Sequence, residues 1–491
     1  MSMILGAMER YVCRVRGGKN AVRNGAFLTC SAAVLSYALW DQRAVSCEGV
    51  KGIKQYSSKP GQERDGTSST VALLSQRQVT ERLRQRDQSY YVHRGRGVVR
   101  YDTAQLPSNA PIEDTHVEQV VTVPRTLSQT AAVSGQNHDD LDDDLYFFGV
   151  FDGHSGPYTS SKLAQVLVPY VAHHLGQVYG QGSGQSSGAD ATNKAIVSAF
   201  LALDRDLVLG SLDTLFKDPT KKNLINALPA ISGSCALLAM FDSASSTVKC
   251  AVTGDSRALL GSQNANGVWS IKPLSVDQTG DSPEEVARIR GEHPGEPNAV
   301  RNGRVLGSLQ PSRAFGDYRY KLKELNGKTV RDLPDHLRVY FRREPRDLKT
   351  PPYVTAEPVI TTTAIDADAK FMVLASDGLF ELLENEEIKD LVVEWINNDK
   401  GMAKAPSSKQ SNSFLEDKNA ATHLIRNALG AGGQRDYLST LVSIPAPMSR
   451  KYRDDLTVTV VFFGQEADAA QKPTGELTLN LEATASPKPK L

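Results

Sequence analysis

The chain has 491 residues, of which 40% are hydrophobic, and its 56 basic and 56 acidic side chains give a formal net charge of +0. This length and apolar content are enough for one large hydrophobic core or two ordinary ones, which excludes a wholly disordered chain. The balanced charge, and the lack of a basic stripe interleaved with aromatic residues, argue against nucleic acid as a partner.

The first forty residues are basic and poor in acids. One acid, Glu9, is accompanied by five basic residues, which are Arg10, Arg14, Arg16, Lys19 and Arg23. This composition is typical of a mitochondrial presequence. A secretory signal is the rival interpretation, since it also combines a basic start with an apolar segment, but the basic stretch is long and the cysteine usage does not suggest export.

An apolar segment over residues 25–40 completes this leader. It is shorter than the roughly 20 residues that cross a bilayer comfortably. Two outcomes stay open. Either the segment is removed with the leader in the matrix, or it associates with the inner mitochondrial membrane and leaves the rest of the chain in the intermembrane space.

The chain then becomes polar and loses periodicity up to about residue 69, which indicates a linker. In the next stretch Leu74, Val79 and Leu83 are spaced loosely on one helical face, which predicts a helix that docks before the main domain. We therefore divide the chain into a leader over 1–40, a linker and docking helix over 41–87, a main domain over 88–464 and a flexible tail over 465–491.

Helical patterns alternate with pairs of strand patterns through the main domain. Helices are predicted in SKLAQVLVPYVAHHLGQVY, ATNKAIVSAFLALDRDLVL, ENEEIKDLVVEWI and NAATHLIRNALG, and buried strands in SGSCALLAMFD and TVKCAVTGDSRALLG. Strands that follow one another without an intervening helix favour antiparallel pairing. The sequence thus predicts an α+β fold, a sandwich of two antiparallel β-sheets flanked by layers of α-helices, with a long polar excursion from Tyr318 to Pro352.

Two cysteines, Cys235 and Cys250, lie in these strand patterns, where small buried hydrophobic side chains are expected. The sequence therefore predicts no disulfide bonds and no thiol catalysis.

Several apolar, strand-like runs begin or end at a carboxylate. The residues at these points are Glu113 and Asp114, Asp152 in the turn Asp152-Gly153-His154, Asp255, Asp377, and Asp454 and Asp455. A single Asp-Gly-His would most simply be an ordinary turn. The recurrence of a carboxylate next to an apolar, strand-like run favours a shared site. Oxygen ligands brought from distant strand ends, without a Cys or His cluster, suit Mg²⁺ or Mn²⁺ rather than structural zinc.

An ordered series of motifs resembles one known family. APIEDTH, FGVFDGHSG, SGSCALL, VTGDSRALL, LGSLQPSRAFGD, ASDGLF and RDDLTVTVV occur in the order typical of the metal-dependent serine/threonine protein phosphatases of type 2C, the PPM family. QLPSNAPIEDTH, PSRAFGDYRYK, TPPYVTAEP, HLIRNALG and KYRDDLTVTVV are similar to its mitochondrial pyruvate dehydrogenase phosphatase branch. The family fold, a β-sandwich between helical layers, agrees with the fold predicted above.

The resemblance implies a centre for two Mg²⁺ or Mn²⁺ ions, with a weaker third. In it, Asp152 bridges the two metals, the Gly153 carbonyl is a further ligand, Asp377 and Asp454 complete one site, and Glu113 serves the other metal directly or through water. Asp114 and Asp455 orient ligands and waters. Asp255 and Glu381 are candidates for the third metal, although the family commonly has Asp at the position of Glu381, which puts that site in doubt.

The same resemblance implies that His154 is the general acid that protonates the departing serine or threonine oxygen. An imidazole suits this role because its ordinary pKa is near 6.5. Its alternative role is a positioning hydrogen bond beside the metals. Many family members carry a phosphate-binding arginine at the position of Asn109, so this asparagine is a substrate-binding candidate that marks a subfamily. Arg313, in the motif SRAFGD, is expected to be a structural ion-pair partner near the site, with contact to the substrate phosphate as the alternative role.

The implied function is hydrolysis of phosphoserine and phosphothreonine by metal-activated water, with the E1 component of pyruvate dehydrogenase as the expected substrate and the matrix as the favoured compartment. The alternatives are a broad mitochondrial phosphatase in the intermembrane space, a hydrolase of small phosphoesters and an inactive binding module of the same fold. The last would be expected to lack metal ligands. Four arginines of the polar excursion, Arg338, Arg342, Arg343 and Arg346, are candidates for substrate docking or else belong to a solvated loop.

Overall fold

A computed structural model of the protein describes residues 71–93, 97–123, 143–180, 188–399, 413–464 and 477–484. The predicted presequence over 1–40, with its apolar segment over 25–40, lies outside the described residues, as does the linker up to residue 70. In the part that is described, no helix has the length and apolar character needed to cross a membrane.

Seventeen strands are present among the described residues, and every pair of neighbouring strands is antiparallel. In chain order they are β1 (Gln88–Val92), β2 (Gly97–Leu106), β3 (Thr115–Val123), β4 (Asp143–Phe151), β5 (Gly153–His154), β6 (Gly233–Ser234), β7 (Ala236–Asp242), β8 (Thr247–Thr253), β9 (Arg257–Gln263), β10 (Trp269–Pro273), β11 (Val300–Arg301), β12 (Arg304–Val305), β13 (Phe315–Gly316), β14 (Val359–Ala364), β15 (Ala369–Ala375), β16 (Leu456–Gly464) and β17 (Leu477–Leu479).

These strands form two large sheets and two small ones. The larger sheet has the order β10-β9-β15-β16-β2-β1-β17, and the five-stranded sheet has the order β14-β8-β7-β4-β3. The two small sheets are a three-stranded sheet, β13-β6-β5, and the pair of β11 with β12. The predicted α+β sandwich of antiparallel sheets is confirmed.

The α-helices are α1 (Gln76–Leu83), α2 (Tyr158–Gly180), α3 (Gly188–Arg205), α4 (Ser211–Lys217), α5 (Lys221–Ile231), α6 (Pro283–Glu292), α7 (Tyr318–Lys321), α8 (Asp335–Arg338), α9 (Asp377–Phe380), α10 (Asn385–Asp399), α11 (Ala420–Leu429), α12 (Arg435–Ser443) and α13 (Leu481–Thr484). A π-helical turn over Asp206–Gly210 links α3 to α4. Short 3₁₀ turns occur at Val330–Asp332 and Met448–Lys451.

Strand β4 is buried on both of its faces. Its residues Tyr146, Phe148 and Val150 join the core between the two large sheets. The alternate residues Phe147 and Phe151 pack on the other face with α2 and α3. Because successive side chains point to opposite faces, a strand buried on both sides must be apolar throughout, which explains the continuous run in the sequence.

The docking helix predicted before the main domain is α1. Val79 and Leu83 are fully buried, and the Gln76 Nε2 group donates a hydrogen bond of 3.0 Å to Ser439 Oγ of α12. Leu74 lies before the helix begins. The helix belongs to one compact unit with the rest of the chain from Gln76 onward.

The tail differs in part from the prediction of a flexible segment over 465–491. Leu477–Leu479 forms strand β17, which pairs with β1 so that Leu479 lies opposite Tyr90 and Leu477 opposite Val92. Strand β1 would otherwise leave a row of backbone groups unpaired at the sheet edge, and β17 satisfies them. The signal was the alternating apolar pattern of this short segment, which is too brief to be distinguished from chance.

The polar excursion from Tyr318 to Pro352 is also more ordered than its composition indicates. Tyr318, Leu333 and Leu337 are buried in a cluster with apolar residues of α4 and α5. Tyr320 is buried in a neighbouring cluster. The segment is therefore held to the domain by these apolar contacts and by the nearly buried ion pair of Lys321 with Asp204, at 2.6 Å.

Candidate active site

Carboxylates from both large sheets converge at one end of the sandwich. One oxygen each from Asp152, Asp255 and Asp377 lie within 4.8 Å of one another, and Asp377, Glu381 and Asp454 form a second such group. Asp152 directly follows β4. Asp377 is the first residue of α9 and is separated from the end of β15 by Ser376 alone. Asp377 belongs to both groups and so lies at the centre of the site.

These carboxylates repel one another in partly buried surroundings. Removal from water raises the pKa of Asp152 well above its ordinary value, and the charges of Asp114, Asp377, Asp255 and Asp454 add to this effect. The pKa of Asp377 is raised in the same way. The Asp377 Oδ1 atom is buried and has no hydrogen-bond partner within the described residues. Unpaired, mutually repelling carboxylate oxygens at this spacing fit hard divalent cations, which prefer oxygen ligands.

Glu113 lies beside the Asp-Gly-His turn but in neither carboxylate group. Its Oε1 atom accepts a hydrogen bond of 2.6 Å from the Gly156 backbone N–H, and removal from water raises its pKa. A Cβ atom at Gly153 would lie 2.2 Å from the Glu113 carbonyl oxygen. Only glycine therefore allows the turn and the Glu113 backbone to approach this closely.

Asp455 fixes the loop that carries Glu113. Its carboxylate accepts hydrogen bonds from the backbone N–H groups of Ser108 (2.5 Å), Asn109 (3.0 Å) and Glu113 (2.9 Å). The Asn109 side-chain amide also donates to Asp455, over 3.1 Å. Although burial alone would raise the pKa of Asp455, these donors leave it lowered. The charged Asp455 carboxylate thus holds this loop in place, and the Asn109 side-chain amide is already hydrogen-bonded to it.

Asp114 is buried beneath the carboxylate groups and belongs to neither. Removal from water, together with the charge of Asp455, raises the pKa of Asp114 to about 8, against the opposing effect of hydrogen bonds from Ser376 and Thr457. Asp114 is in neither carboxylate group, and its role in orienting ligands therefore stays a prediction.

The two candidates for a third metal are not brought into one group. Asp255 shares a group with Asp152, and Glu381 shares the other group with Asp454. Asp255 also accepts a hydrogen bond from Cys235 Sγ, over 3.1 Å. Cys235 and Cys250 are both buried and unpaired.

His154 is held by a residue that the sequence reasoning did not assign. Its Nε2 atom lies 2.5 Å from Asp317 Oδ2, and the Asp317 side chain is only 3% exposed. Although burial alone would lower it, the charge and hydrogen bond of Asp317 raise the pKa of His154. Asp317 lies in the quoted motif SRAFGD, but no local pattern indicates a partner 163 residues away.

The three-stranded sheet builds this pair. His154 lies in β5, Gly233 in the central strand β6, and Asp317 follows β13 directly in the left-handed region, at φ 50°. A Cβ atom at Gly233 would lie 2.1 Å from Asp317 Oδ2 and 2.2 Å from His154 Nε2. Glycine at this position is therefore required for the His154–Asp317 contact.

Arg450 is the second functional candidate that sequence reasoning missed. Its Nη1 atom lies 2.5 Å from Asp454 Oδ2, at the exposed edge of the carboxylate groups. The signal was an arginine four residues before a predicted metal ligand, which is too common a pattern to single out. Arg313, in contrast, is the expected structural partner, since it pairs with Glu285 over 2.7 Å.

Comparisons with known proteins identify the family of this chain. The family model of protein phosphatase 2C matches residues 121–435. The chain is 48% identical to the mitochondrial pyruvate dehydrogenase (acetyl-transferring)-phosphatase 1 of Saccharomyces cerevisiae, over 94% of this chain and 89% of that protein. It is 40% identical to a protein phosphatase 2C homologue of Schizosaccharomyces pombe (79% and 85%) and 31% identical to the mitochondrial pyruvate dehydrogenase phosphatase 1 of Bos taurus (76% and 79%).

Proposed function

The chain belongs to the protein phosphatase 2C family, and we propose that it reactivates pyruvate dehydrogenase in mitochondria by removing phosphate from serine of the E1 component. As a member of this family it is a metal-dependent serine/threonine protein phosphatase, a hydrolase of phosphoric monoesters. The observation that carries the substrate is the 48% identity over 94% of the chain to a pyruvate dehydrogenase phosphatase. The relatives named as mitochondrial support a mitochondrial location, and we place the enzyme in the matrix, where its substrate would be met.

The carboxylates of the site would hold two Mg²⁺ or Mn²⁺ ions. Asp152, Asp377 and Asp454 would hold one ion, and Asp152, the Gly153 carbonyl and Glu113 would hold the other. When bound, the cations neutralise the phosphate dianion and lower the pKa of water so that hydroxide is available near neutral pH. Asp455 keeps Glu113 in place by binding its backbone N–H. No side-chain nucleophile is needed.

His154 supplies the proton for the departing serine oxygen. Because Nε2 faces Asp317, Nδ1 is the ring nitrogen left to donate to the substrate. Asp317 stabilises the charged imidazole, as a carboxylate does when it orients a catalytic histidine. An alkoxide leaving group is poor, so this proton should matter more for phosphoserine than for an aryl ester.

The folded excursion between Tyr318 and Pro352 is the proposed docking surface for the protein substrate. Its exposed arginines are Arg331, Arg338, Arg342, Arg343 and Arg346. Arg338 pairs with Asp335 at the surface. Since Leu333 and Leu337 are buried, the arginines stand on an anchored segment and present a fixed positive surface to an acidic partner.

Deleting this segment would remove buried side chains of the core, so charge reversal is the cleaner test. We compare Arg342→Glu/Arg343→Glu with the control Arg77→Glu/Lys272→Glu, which makes the same change in net charge at exposed positions of α1 and β10. The first variant should lose activity on intact phosphorylated E1 but not on the matching short phosphopeptide. The control should lose neither.

Three outcomes would redirect the proposal. Equal rates of the wild type on E1, on the peptide and on unrelated phosphoproteins would indicate a broad mitochondrial phosphatase. Activity restricted to small phosphoesters would indicate a different hydrolase. No activity on any substrate with Mg²⁺ or Mn²⁺ would indicate an inactive binding module.

A further inference from the structure

We propose that Arg450 binds the phosphate group of the substrate at the edge of the carboxylate site. The inference deepens the proposed function and rests on it, because it names the group that captures the phosphate which the site hydrolyses. It assigns a role to a residue at which the sequence patterns gave no direct signal.

Arg450 is mounted beside the loop that carries Asn109 and Glu113. The 3₁₀ turn Met448–Lys451 contains the fully buried Ser449, whose Oγ donates a hydrogen bond of 2.9 Å to the Ser108 carbonyl. Ser108 is also fully buried. Arg450 and Asn109 each follow one member of this buried contact, so their backbones are held next to each other.

The Arg450 side chain reaches from this turn to the rim of the site. Its Nη1 atom contacts Asp454 Oδ2, and its side chain is 50% exposed, against 16% for Asp454. The guanidinium carries a positive charge because an arginine side chain is not deprotonated in proteins. Within the described residues, no other Lys or Arg forms an ion pair with a carboxylate of the two groups.

Half of the Arg450 side chain is exposed next to the carboxylates, and its closest contact with Asp454 is made by Nη1. A planar guanidinium binds a phosphate through two parallel N–H donors, which makes arginine better suited to this ligand than lysine. A phosphate dianion at the edge of the site would therefore lie next to a positive group that suits it.

The neighbouring polar groups are already used elsewhere. The Asn109 amide donates to Asp455. Arg453 is buried and donates to the carbonyls of Leu106 and Pro107. Arg313 is paired with Glu285. Among the described residues, Arg450 is thus the arginine near the site with exposed donors.

A competing role for Arg450 is to hold Asp454 in place, and the two roles predict different measurements. We compare the wild type with Arg450→Ala, Arg450→Lys, the double variant Asn109→Arg/Arg450→Ala and the control Arg77→Ala. The control removes an exposed arginine that is likewise paired with an acid four residues later, Glu81. Inorganic phosphate is the probe, titrated into Mn²⁺-loaded protein by calorimetry and tested as a competitive inhibitor. Mn²⁺ affinity is measured separately by calorimetry.

Phosphate binding by Arg450 predicts that Arg450→Ala weakens phosphate affinity about tenfold or more, since a hydrogen bond to a charged group is lost. KM should rise similarly for a phosphopeptide and for p-nitrophenyl phosphate, with Mn²⁺ affinity little changed. The phosphate affinity of Arg450→Lys should lie between those of the wild type and Arg450→Ala. The double variant Asn109→Arg/Arg450→Ala should regain part of the lost affinity, because position 109 is adjacent to position 450. Arg77→Ala should match the wild type.

Weakened Mn²⁺ binding with unchanged phosphate affinity in Arg450→Ala would overturn the proposal and leave Arg450 as a support for Asp454. Unchanged phosphate affinity and unchanged Mn²⁺ affinity would overturn it as well. If the wild type hydrolysed no phosphoester, the proposed function would be wrong. The calorimetric phosphate affinities of the wild type and Arg450→Ala would still show whether Arg450 binds phosphate.

Discussion

Replacing Asp317 with Asn should slow the hydrolysis of a phosphoserine peptide about ten- to hundredfold without loss of metal binding. The Asp317 carboxylate lies 2.5 Å from His154 Nε2 and is 3% exposed, so the two side chains form a charge-assisted hydrogen bond shielded from water. Such a bond contributes about 1.5–3 kcal/mol. Because about 1.4 kcal/mol corresponds to a tenfold change in rate, loss of the bond in the transition state gives the expected range.

The same substitution has a predicted effect on pH dependence. Asp317 raises the pKa of His154 against the effect of burial. The protonated imidazole therefore persists to higher pH in the wild type and is lost as pH rises through this raised pKa. In Asp317→Asn the alkaline limb of kcat should move to lower pH. By linkage, the pair also stabilises the fold below the ordinary histidine pKa, and this stability is lost as pH rises through the raised value.

The assay measures kcat over a pH series with saturating Mn²⁺, on a phosphoserine peptide and on p-nitrophenyl phosphate. The aryl ester needs no proton for its leaving group, so its loss should be much smaller. Asp190→Asn, which removes a surface carboxylate paired with Lys194, is the control. Equal losses on both substrates, or an unmoved alkaline limb, would refute the role of the His154–Asp317 pair in proton donation.

Three further predictions test other parts of the account. Gly233→Ala places a Cβ atom within about 2.2 Å of both His154 Nε2 and Asp317 Oδ2. The variant should therefore reduce phosphopeptide turnover as Asp317→Asn does, while calorimetry shows unchanged Mn²⁺ affinity. Wild-type turnover would contradict the required close approach. Asp152→Asn should abolish metal-dependent activity. In chelator it should raise the melting temperature, because a carboxylic acid whose pKa is raised in the folded state lowers the stability of the fold above its ordinary pKa. A lower melting temperature would contradict the argument that these carboxylates repel one another. Residues 1–40 fused to a fluorescent protein should direct it to mitochondria, and a diffuse cytosolic signal in microscopy would remove the presequence prediction.

The sequence was informative where function depends on local pattern. Asp152, Asp377 and Asp454 stand next to apolar strands, so the pattern favoured a shared site, while the family resemblance assigned the individual ligands. The continuous apolar run of β4 likewise reported burial on both faces.

The missed features depend on contacts between distant segments. The strand order β13-β6-β5 brings Asp317 into contact with His154. The sequence around either residue does not indicate that the other is its partner. Arg450 is placed by the buried contact between Ser449 and Ser108, which are 341 residues apart. Strand β17 forms because β1 offers a free edge, a property of the sheet rather than of the tail.

The central claim is tested most directly by recovery of pyruvate dehydrogenase activity. A complex inactivated by phosphorylation of E1 is incubated with the wild type or with Asp152→Asn, with Mg²⁺ or with chelator, and both phosphate release and oxidation of pyruvate are followed. The account predicts that the wild type with Mg²⁺ restores activity in step with phosphate release, and that the variant and the chelated enzyme do not. Phosphate release from control phosphoproteins without recovery of the complex would contradict it.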